Sequence, residues 1–378
     1  MSYFVYTYNY ITLHKAIMYA ELEWGIENTY IIYSTSIIDA PKALKNNKYN
    51  NCVIDPRKYK NIRNSIIEIP IISALVHEKR IVEGIIGYIN EQEPDINQTI
   101  SVVVFRDVAL RESLLIKDIK QIYKSVEVIM VEEGLGVYKN TNKPSVSLKT
   151  LVKKTIYHIL GLPTIYLDEL PHGSNPLTDQ IICSHPEKLN STNQTNGKKI
   201  IKQINVFNKD YCDYFIREVM MVEITQKKYA FVFLTQPLFP TDKPKVNDKY
   251  DKFLNHLFKL LSYYGNVVIK PHPLDQWDYD KYESESINMC PKELSKIAFE
   301  LLFGYFGNPR ALTFYSSAAC NIQSKEPGIF LYDFFPEIID KDIFTKEFFN
   351  DNNVIRCRSF EELEDVLNYS EMTFGGDF

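Results

Sequence analysis

The chain repeats one pattern from end to end. A short run of consecutive apolar, largely β-branched residues is followed by a longer stretch with apolar residues at helical spacing. Strands written without polar alternation must be buried on both faces, the condition of a parallel sheet covered by helices. Tyr3–Thr7, Thr29–Tyr33, Ser101–Phe105, Val126–Val131 and Asp179–Cys183 are runs of this kind, interleaved with helical stretches such as Tyr10–Leu22, Ile72–Asn90 and Ala109–Lys124. A second series has strand runs at Tyr229–Leu234, Asn266–Lys270, Ala311–Phe314 and Gly328–Tyr332, with helical stretches at Asp210–Val222, Tyr250–Tyr264 and Ser359–Leu367. Ser359 with Glu362 three residues later makes a capping box for the last helix. Between the two series lies Asn190–Lys199, ten residues without an apolar side chain, which reads as a linker or surface loop. At 378 residues the chain exceeds what one ordinary core holds. The pattern predicts an α/β protein of two doubly wound, Rossmann-like domains, residues 1–195 and 196–378, facing each other across a cleft.

Composition removes several classes. A net charge of -5 argues against a nucleic-acid-binding footprint over the whole molecule. The six cysteines are scattered without a C-x-x-C pair, so neither a zinc knuckle nor a disulfide framework is expected. No run of about 18 apolar residues occurs and the N-terminal residues lack signal-peptide features, so a cytoplasmic protein is expected. Leu148–Leu160 is amphipathic and basic. Packing of its apolar face on the sheet is the preferred reading, with peripheral contact at the inner face of the membrane, near a lipid-linked acceptor, as the alternative.

Chemistry-bearing residues cluster where strands end, which is where ligands bind in open α/β sheets. Val126–Val131 runs directly into Glu132, Glu133 and Gly134, with Gly136 just beyond. Carboxylates there suit a general base, and the glycines suit a tight turn or close backbone approach. In the second series, Lys270-Pro271-His272-Pro273 places an imidazole between two prolines that fix the backbone around it. Ser184-His185-Pro186 follows a strand of the first series but lacks the lysine and second proline, and reads as structural. Thr235 and Gln236 end another strand, and Ser316 and Ser317 follow a third, where hydroxyls and free N–H groups at a helix start would take an anion. Glu300 is the polar member of Ile297–Leu302, either on an exposed face or as a recognition carboxylate. Gly134 and Gly136 are not followed by a third glycine, position 139 being Lys139, and no G-x-x-x-x-G-K-[ST] loop occurs, which weakens oxidoreductase and ATPase readings.

The set Glu132-Glu133-Gly134, Lys270-Pro271-His272-Pro273 and Ser316-Ser317, in this order, resembles the bacterial sialyltransferases that share acidic, His-Pro and Ser-Ser motifs, namely the lipooligosaccharide, capsule and polysialic-acid enzymes. Thr235-Gln236 and Phe299-Glu300 are similar to accessory segments of that pattern. The resemblance implies a GT-B type glycosyltransferase that moves sialic acid from CMP-sialic acid to a sugar hydroxyl of a bacterial surface glycan with inversion. It favours α2,3 transfer to galactose, with extension of α2,8 or α2,9 polysialic acid, or non-catalytic carbohydrate binding, as alternatives. It further implies that Glu132 or Glu133, with Glu132 preferred, deprotonates the acceptor, that His272 protonates or hydrogen-bonds the leaving phosphate, and that Ser316 and Ser317 hold that phosphate. Glu300 would accept from the cytosine amino group and Lys270 would position the nucleotide. Neither a metal nor a further cofactor is implied, because the leaving group is a single phosphate.

Overall fold

The N-terminal apolar run forms strand β1 (Ser2–Thr7), buried from Phe4 to Thr7 and paired in parallel on both sides. The structure is a computed structural model that describes all residues except 35–43, 45–47, 60–69, 139–147, 160–161, 169, 190–191, 224–226, 239–243, 317, 323, 340–352 and 375–378. The chain divides into two units, Met1–Val206 with Glu218–Met221, and Phe207–Arg217 with Val222–Phe378.

In the first unit, β1 is joined by β2 (Thr29–Tyr33), β3 (Asn50–Val53), β4 (Thr99–Val104), β5 (Ser125–Val131), β6 (Gln180–Cys183) and β7 (Lys199–Lys202). All described pairings are parallel, and the order is β3-β2-β1-β4-β5-β6-β7. The chain therefore winds outward from β1 in one direction and from β4 in the other, which makes the β1–β4 boundary the topological switch point. Helices α1 (Tyr10–Tyr19), α2 (Pro70–Gln92), α3 (Leu110–Ile122) and α4 (Leu148–Ile159) connect the strands. Ile81, Val82, Ile85 and Ile89 recur at helical spacing on α2 and join Leu114, Leu115 and Ile119 of α3 in one core with Phe4, Val102, Val104, Val128 and Met130 of the sheet.

The second unit repeats the logic with β8 (Phe231–Leu234), β9 (Val267–Lys270), β10 (Ile287–Met289), β11 (Arg310–Thr313), β12 (Gly328–Phe330) and β13 (Val354–Arg356), in the parallel order β10-β9-β8-β11-β12-β13. Its switch point lies between β8 and β11. Tyr250, Leu254, Leu257, Phe258 and Leu261 of the helix Pro244–Tyr264 are buried, with the Phe258 ring edge-on to Phe233 of β8 at 5.6 Å.

Three expectations are corrected. Asp179–Cys183 does not contain the last strand of the first unit, because β7 follows the polar stretch and pairs with β6. Thr192–Thr195 of the polar stretch form a short helix between two strands of one sheet, and the first unit continues to Val206 instead of ending at 195. β3 and β7 escape a search for apolar runs because both are edge strands, half exposed and written Asn-Asn-Cys-Val and Lys-Ile-Ile-Lys. On α4, Leu151 and Val152 are each 53% exposed, so its apolar residues are not all packed on the sheet. Among the described residues no helix is long and apolar enough to cross a membrane.

Past the end of β4, Asp107 is fully buried and its carboxylate accepts from the Gly173 N–H at 2.7 Å, the Asn175 N–H at 3.1 Å and the Thr178 hydroxyl at 2.7 Å. This one side chain fixes the loop that leads into β6. Asp107→Ala would strand several buried donors, and a loss of about 2–4 kcal/mol is expected, measured as a lower urea midpoint. An unchanged midpoint would show that the loop holds itself.

Candidate active site

The carboxyl ends of β1, β4, β5 and β6 bring one polar group together in the first unit. Glu132 and Glu133 leave β5 in opposite settings. Glu132 is 4% exposed and its Oε2 accepts both the Tyr138 hydroxyl and the Ser184 N–H at 2.6 Å. Its backbone carbonyl accepts from the ammonium of Lys15, a residue of α1 that is itself buried. Glu132 therefore ties the end of β5 to the end of β6. Burial, followed by the charge of Glu132, pushes the Tyr138 phenol well above its ordinary pKa, so Tyr138 remains a donor.

Glu133 is only half-buried. Its Oε2 accepts the Tyr8 hydroxyl at 2.5 Å and its Oε1 accepts the Asn9 amide at 2.7 Å. Asn9 is also the N-cap of α1, where its Oδ1 accepts the Thr12 N–H at 2.8 Å. The cap fixes which end of the amide is oxygen, so the nitrogen must face Glu133. Tyr8 is held protonated by burial and by the neighbouring Glu133 charge. Arg106, just past β4, lays its guanidinium over the Tyr8 ring at 3.9 Å and pairs with Glu112 at 3.4 Å. Burial opposes the Arg106 charge, and the neighbouring carboxylates of Glu112 and Glu133 favour it. Tyr8, Asn9 and Arg106 were missed in the sequence. The available signal was their place directly after buried strands, with Asn9-x-x-Thr12 as a capping pattern.

Gly136 is needed for close approach: a Cβ there would lie 2.8 Å from Cε1 of His172, whose ring covers this backbone. The His172 N–H donates to the Gly136 carbonyl at 3.1 Å. Gln194 then fastens both sides, its amide donating to the Val137 and His172 carbonyls at 2.7 and 2.6 Å. The His185 N–H donates to the Tyr138 hydroxyl at 2.9 Å, and its ring Nδ1 lies 3.1 Å from Glu187 Oε1.

In the second unit the ends of β9, β8 and β11 converge. The His272 N–H donates to Thr235 Oγ1 at 2.9 Å, and the Tyr315 N–H donates to Gln236 Oε1 at 3.1 Å. Three neighbouring strand ends are thereby stitched together. His272 Nδ1 accepts the Leu274 N–H at 3.1 Å, so the neutral ring carries its proton on Nε2. Partial desolvation lowers the His272 pKa, Lys270 lowers it further, and Asp275 opposes them. Lys270 is buried and donates to the Ser295 carbonyl at 2.6 Å, and its pKa falls through burial despite the opposing Cys290 and Glu300. Glu300 is 5% exposed on the short helix Phe299–Leu302, which removes the exposed-face reading. Pro273 is exposed at the surface.

The serine segment differs from expectation. Ser316 Oγ accepts the Ala318 N–H at 3.3 Å, and the Ser316 N–H donates to Thr313 Oγ1 at 3.2 Å. The helix Ala318–Asn321 has four residues, so the N–H groups expected to be free at this turn are partly used by local capping. Ser317 lies outside the described residues.

The fold has solved counterparts. A UDP-GlcNAc 2-epimerase of Methanocaldococcus jannaschii is similar over 98% of this chain and 92% of its own, with 14% identity and a TM-score of 0.54. The wall teichoic acid polymerase TagF, in crystals soaked with CDPG, is similar over 99% of this chain and 82% of its own, with 14% identity and a TM-score of 0.51. The GT-B domain of a Photobacterium damselae sialyltransferase aligns over 99% of this chain and 97% of its own, with 11% identity and a TM-score of 0.47. The two parallel-sheet units thus make a fold of the GT-B class. The family model for alpha-2,8-polysialyltransferase (POLYST) matches residues 5–283, and the chain belongs to that family of glycosyltransferases. No curated protein matches the sequence.

Gly136→Ala is expected to displace His172 and to destabilise the protein by about 1–3 kcal/mol. Adding His172→Ala should relieve much of that loss. Equal stability of Gly136→Ala and the parent would show that the ring yields freely.

Proposed function

We propose that the protein transfers sialic acid from CMP-sialic acid, with inversion, to the hydroxyl of a terminal sialic acid on a bacterial surface glycan. The observation that carries the mechanism is the contrast between the two glutamates. Glu132 is buried and doubly bonded on one oxygen, whereas Glu133 is half-buried and oriented by Tyr8 and Asn9. Glu133 is the base, in place of the Glu132 preferred from sequence. It removes the acceptor proton as the acceptor oxygen bonds to the anomeric carbon and the bond from that carbon to the CMP phosphate breaks.

The leaving phosphate is assigned to the second unit. His272 offers Nε2–H because Nδ1 is occupied by the Leu274 N–H. A neutral hydrogen-bond donor suffices to stabilise the departing CMP, with Ser316 and Ser317 as further contacts. Lys270 and Glu300 are assigned to the nucleotide, Lys270 positioning it and Glu300 accepting from the cytosine amino group. Pro271 and Pro273 hold the loop that presents His272. No step in this scheme needs a divalent cation. The family description supports α2,8 extension over the α2,3 transfer to galactose expected from sequence.

The test is release of CMP from CMP-sialic acid by purified protein with a sialylated oligosaccharide, with lactose and with a chelator. Release with the sialylated acceptor, undiminished by the chelator, is expected. Release with lactose alone would restore the α2,3 assignment, and no release with either would leave a carbohydrate-binding protein. Glu133→Gln and His272→Ala should each lower kcat by about 100-fold or more, while Glu132→Gln, if folded, should lose less. The His272 pKa is lowered, so its ring is already neutral at pH 7. A donor that works as neutral Nε2–H therefore gives a kcat that does not fall between pH 7 and about pH 8, whereas an obligatory imidazolium would give a steep decline.

A further inference from the structure

Arg106 has more donors than its surroundings use. A guanidinium carries five N–H donors in a rigid fork suited to one carboxylate. Among the described residues it meets one acceptor, Glu112 Oε1 at 3.4 Å, and Nε is buried with no hydrogen-bond partner. A charge-assisted pair that satisfied the fork would lie near 2.7–2.9 Å and engage two nitrogens. Glu112 is 1% exposed and so lies on the protein side of the guanidinium, while the Arg106 side chain is 41% exposed. The other face of the cation is covered by the Tyr8 ring, at 3.9 Å. Tyr8 is the same residue whose hydroxyl holds Glu133. One tyrosine thus carries the proposed base on its hydroxyl and a half-exposed, incompletely paired cation on its ring, beside the switch point of the first sheet.

We propose that Arg106 reads the acceptor's own carboxylate. The inference rests on the reading above, in which the attacking hydroxyl belongs to a sialic acid, a sugar that carries a carboxylate where galactose carries none. Two N–H groups of the Arg106 fork donate to that carboxylate, with Tyr8 keeping the guanidinium in plane and the buried Glu112 keeping it from swinging away. Recognition and deprotonation of the acceptor are then coupled through Tyr8, so that a neutral sugar enters beside Glu133 without its anchor. Arg106 is on this account a specificity-determining residue and takes no part in proton transfer.

The experiment measures equilibrium binding of an oligosaccharide ending in sialic acid, and of the same oligosaccharide with that C1 carboxylate converted to an amide. It uses the full chain as wild type, Arg106→Ala and Arg106→Lys. The wild type should bind the acid about 10- to 100-fold more tightly than the amide. Arg106→Ala should bind the two equally, and Arg106→Lys should retain part of the preference, because charge survives while the fork is lost. Equal binding of acid and amide by the wild type, or an undiminished preference in Arg106→Ala, overturns the proposal. If Arg106→Ala does not fold, the wild-type and Arg106→Lys comparisons decide it. CMP release is scored separately. A carboxylate preference that depends on Arg106 without any CMP release overturns the transferase reading and leaves Arg106 as the receptor of a sialic acid ligand.

Discussion

Every described strand pairing in this protein is parallel, so within each sheet all strands deliver their following residues to one edge. The chemistry depends on this constraint. A parallel connection returns through a helix, so residues distant in sequence leave neighbouring strands side by side. Tyr8 and Asn9 reach Glu133 across 125 and 124 residues because β1 and β5 flank β4. His272 and Thr235 meet across 37 residues because β9 adjoins β8. Outward winding from a central pair leaves a crevice at the switch point, and the richest polar groups of both units lie near it.

The two adjacent glutamates sit in opposite settings. Glu132 points back into the protein and joins the end of β5 to that of β6 through Tyr138 and Ser184. Lys15 beneath it fixes the backbone at the same turn. Glu133 is thereby offered on a rigid base, and Tyr8 and Asn9 set its orientation. Under the proposed reading, a carboxylate held on two sides would lose little further freedom when an acceptor arrives, which is what preorganisation contributes to catalysis. His272 follows the same rule, with its backbone N–H on Thr235 and its Nδ1 on the Leu274 N–H.

The sequence made the central strands readable because burial on both faces leaves an uninterrupted apolar run, as in Val128–Val131. It hid β3 and β7 because an edge strand keeps polar residues toward solvent. The acidic pair and the histidine were legible as chemically distinctive residues at strand ends. Their partners were not, since Tyr8, Asn9 and Arg106 gain meaning only from strand order, which a linear pattern does not specify. At Ser316 the strand-end hydroxyls were legible and the local caps were not: Ser316 Oγ accepts the Ala318 N–H and Thr313 Oγ1 accepts the Ser316 N–H, which leaves the proposed phosphate contact to the serine hydroxyls themselves.

The central claim is that Glu133 acts as base because Tyr8 and Asn9 hold it in place. Steady-state CMP release by Tyr8→Phe tests this directly, since the change removes one hydroxyl and keeps the ring under Arg106. Losing a hydrogen bond to a charged group should lower kcat by about 10- to 100-fold, with KM for CMP-sialic acid unchanged. A Tyr8→Phe enzyme with the wild-type kcat would contradict the account.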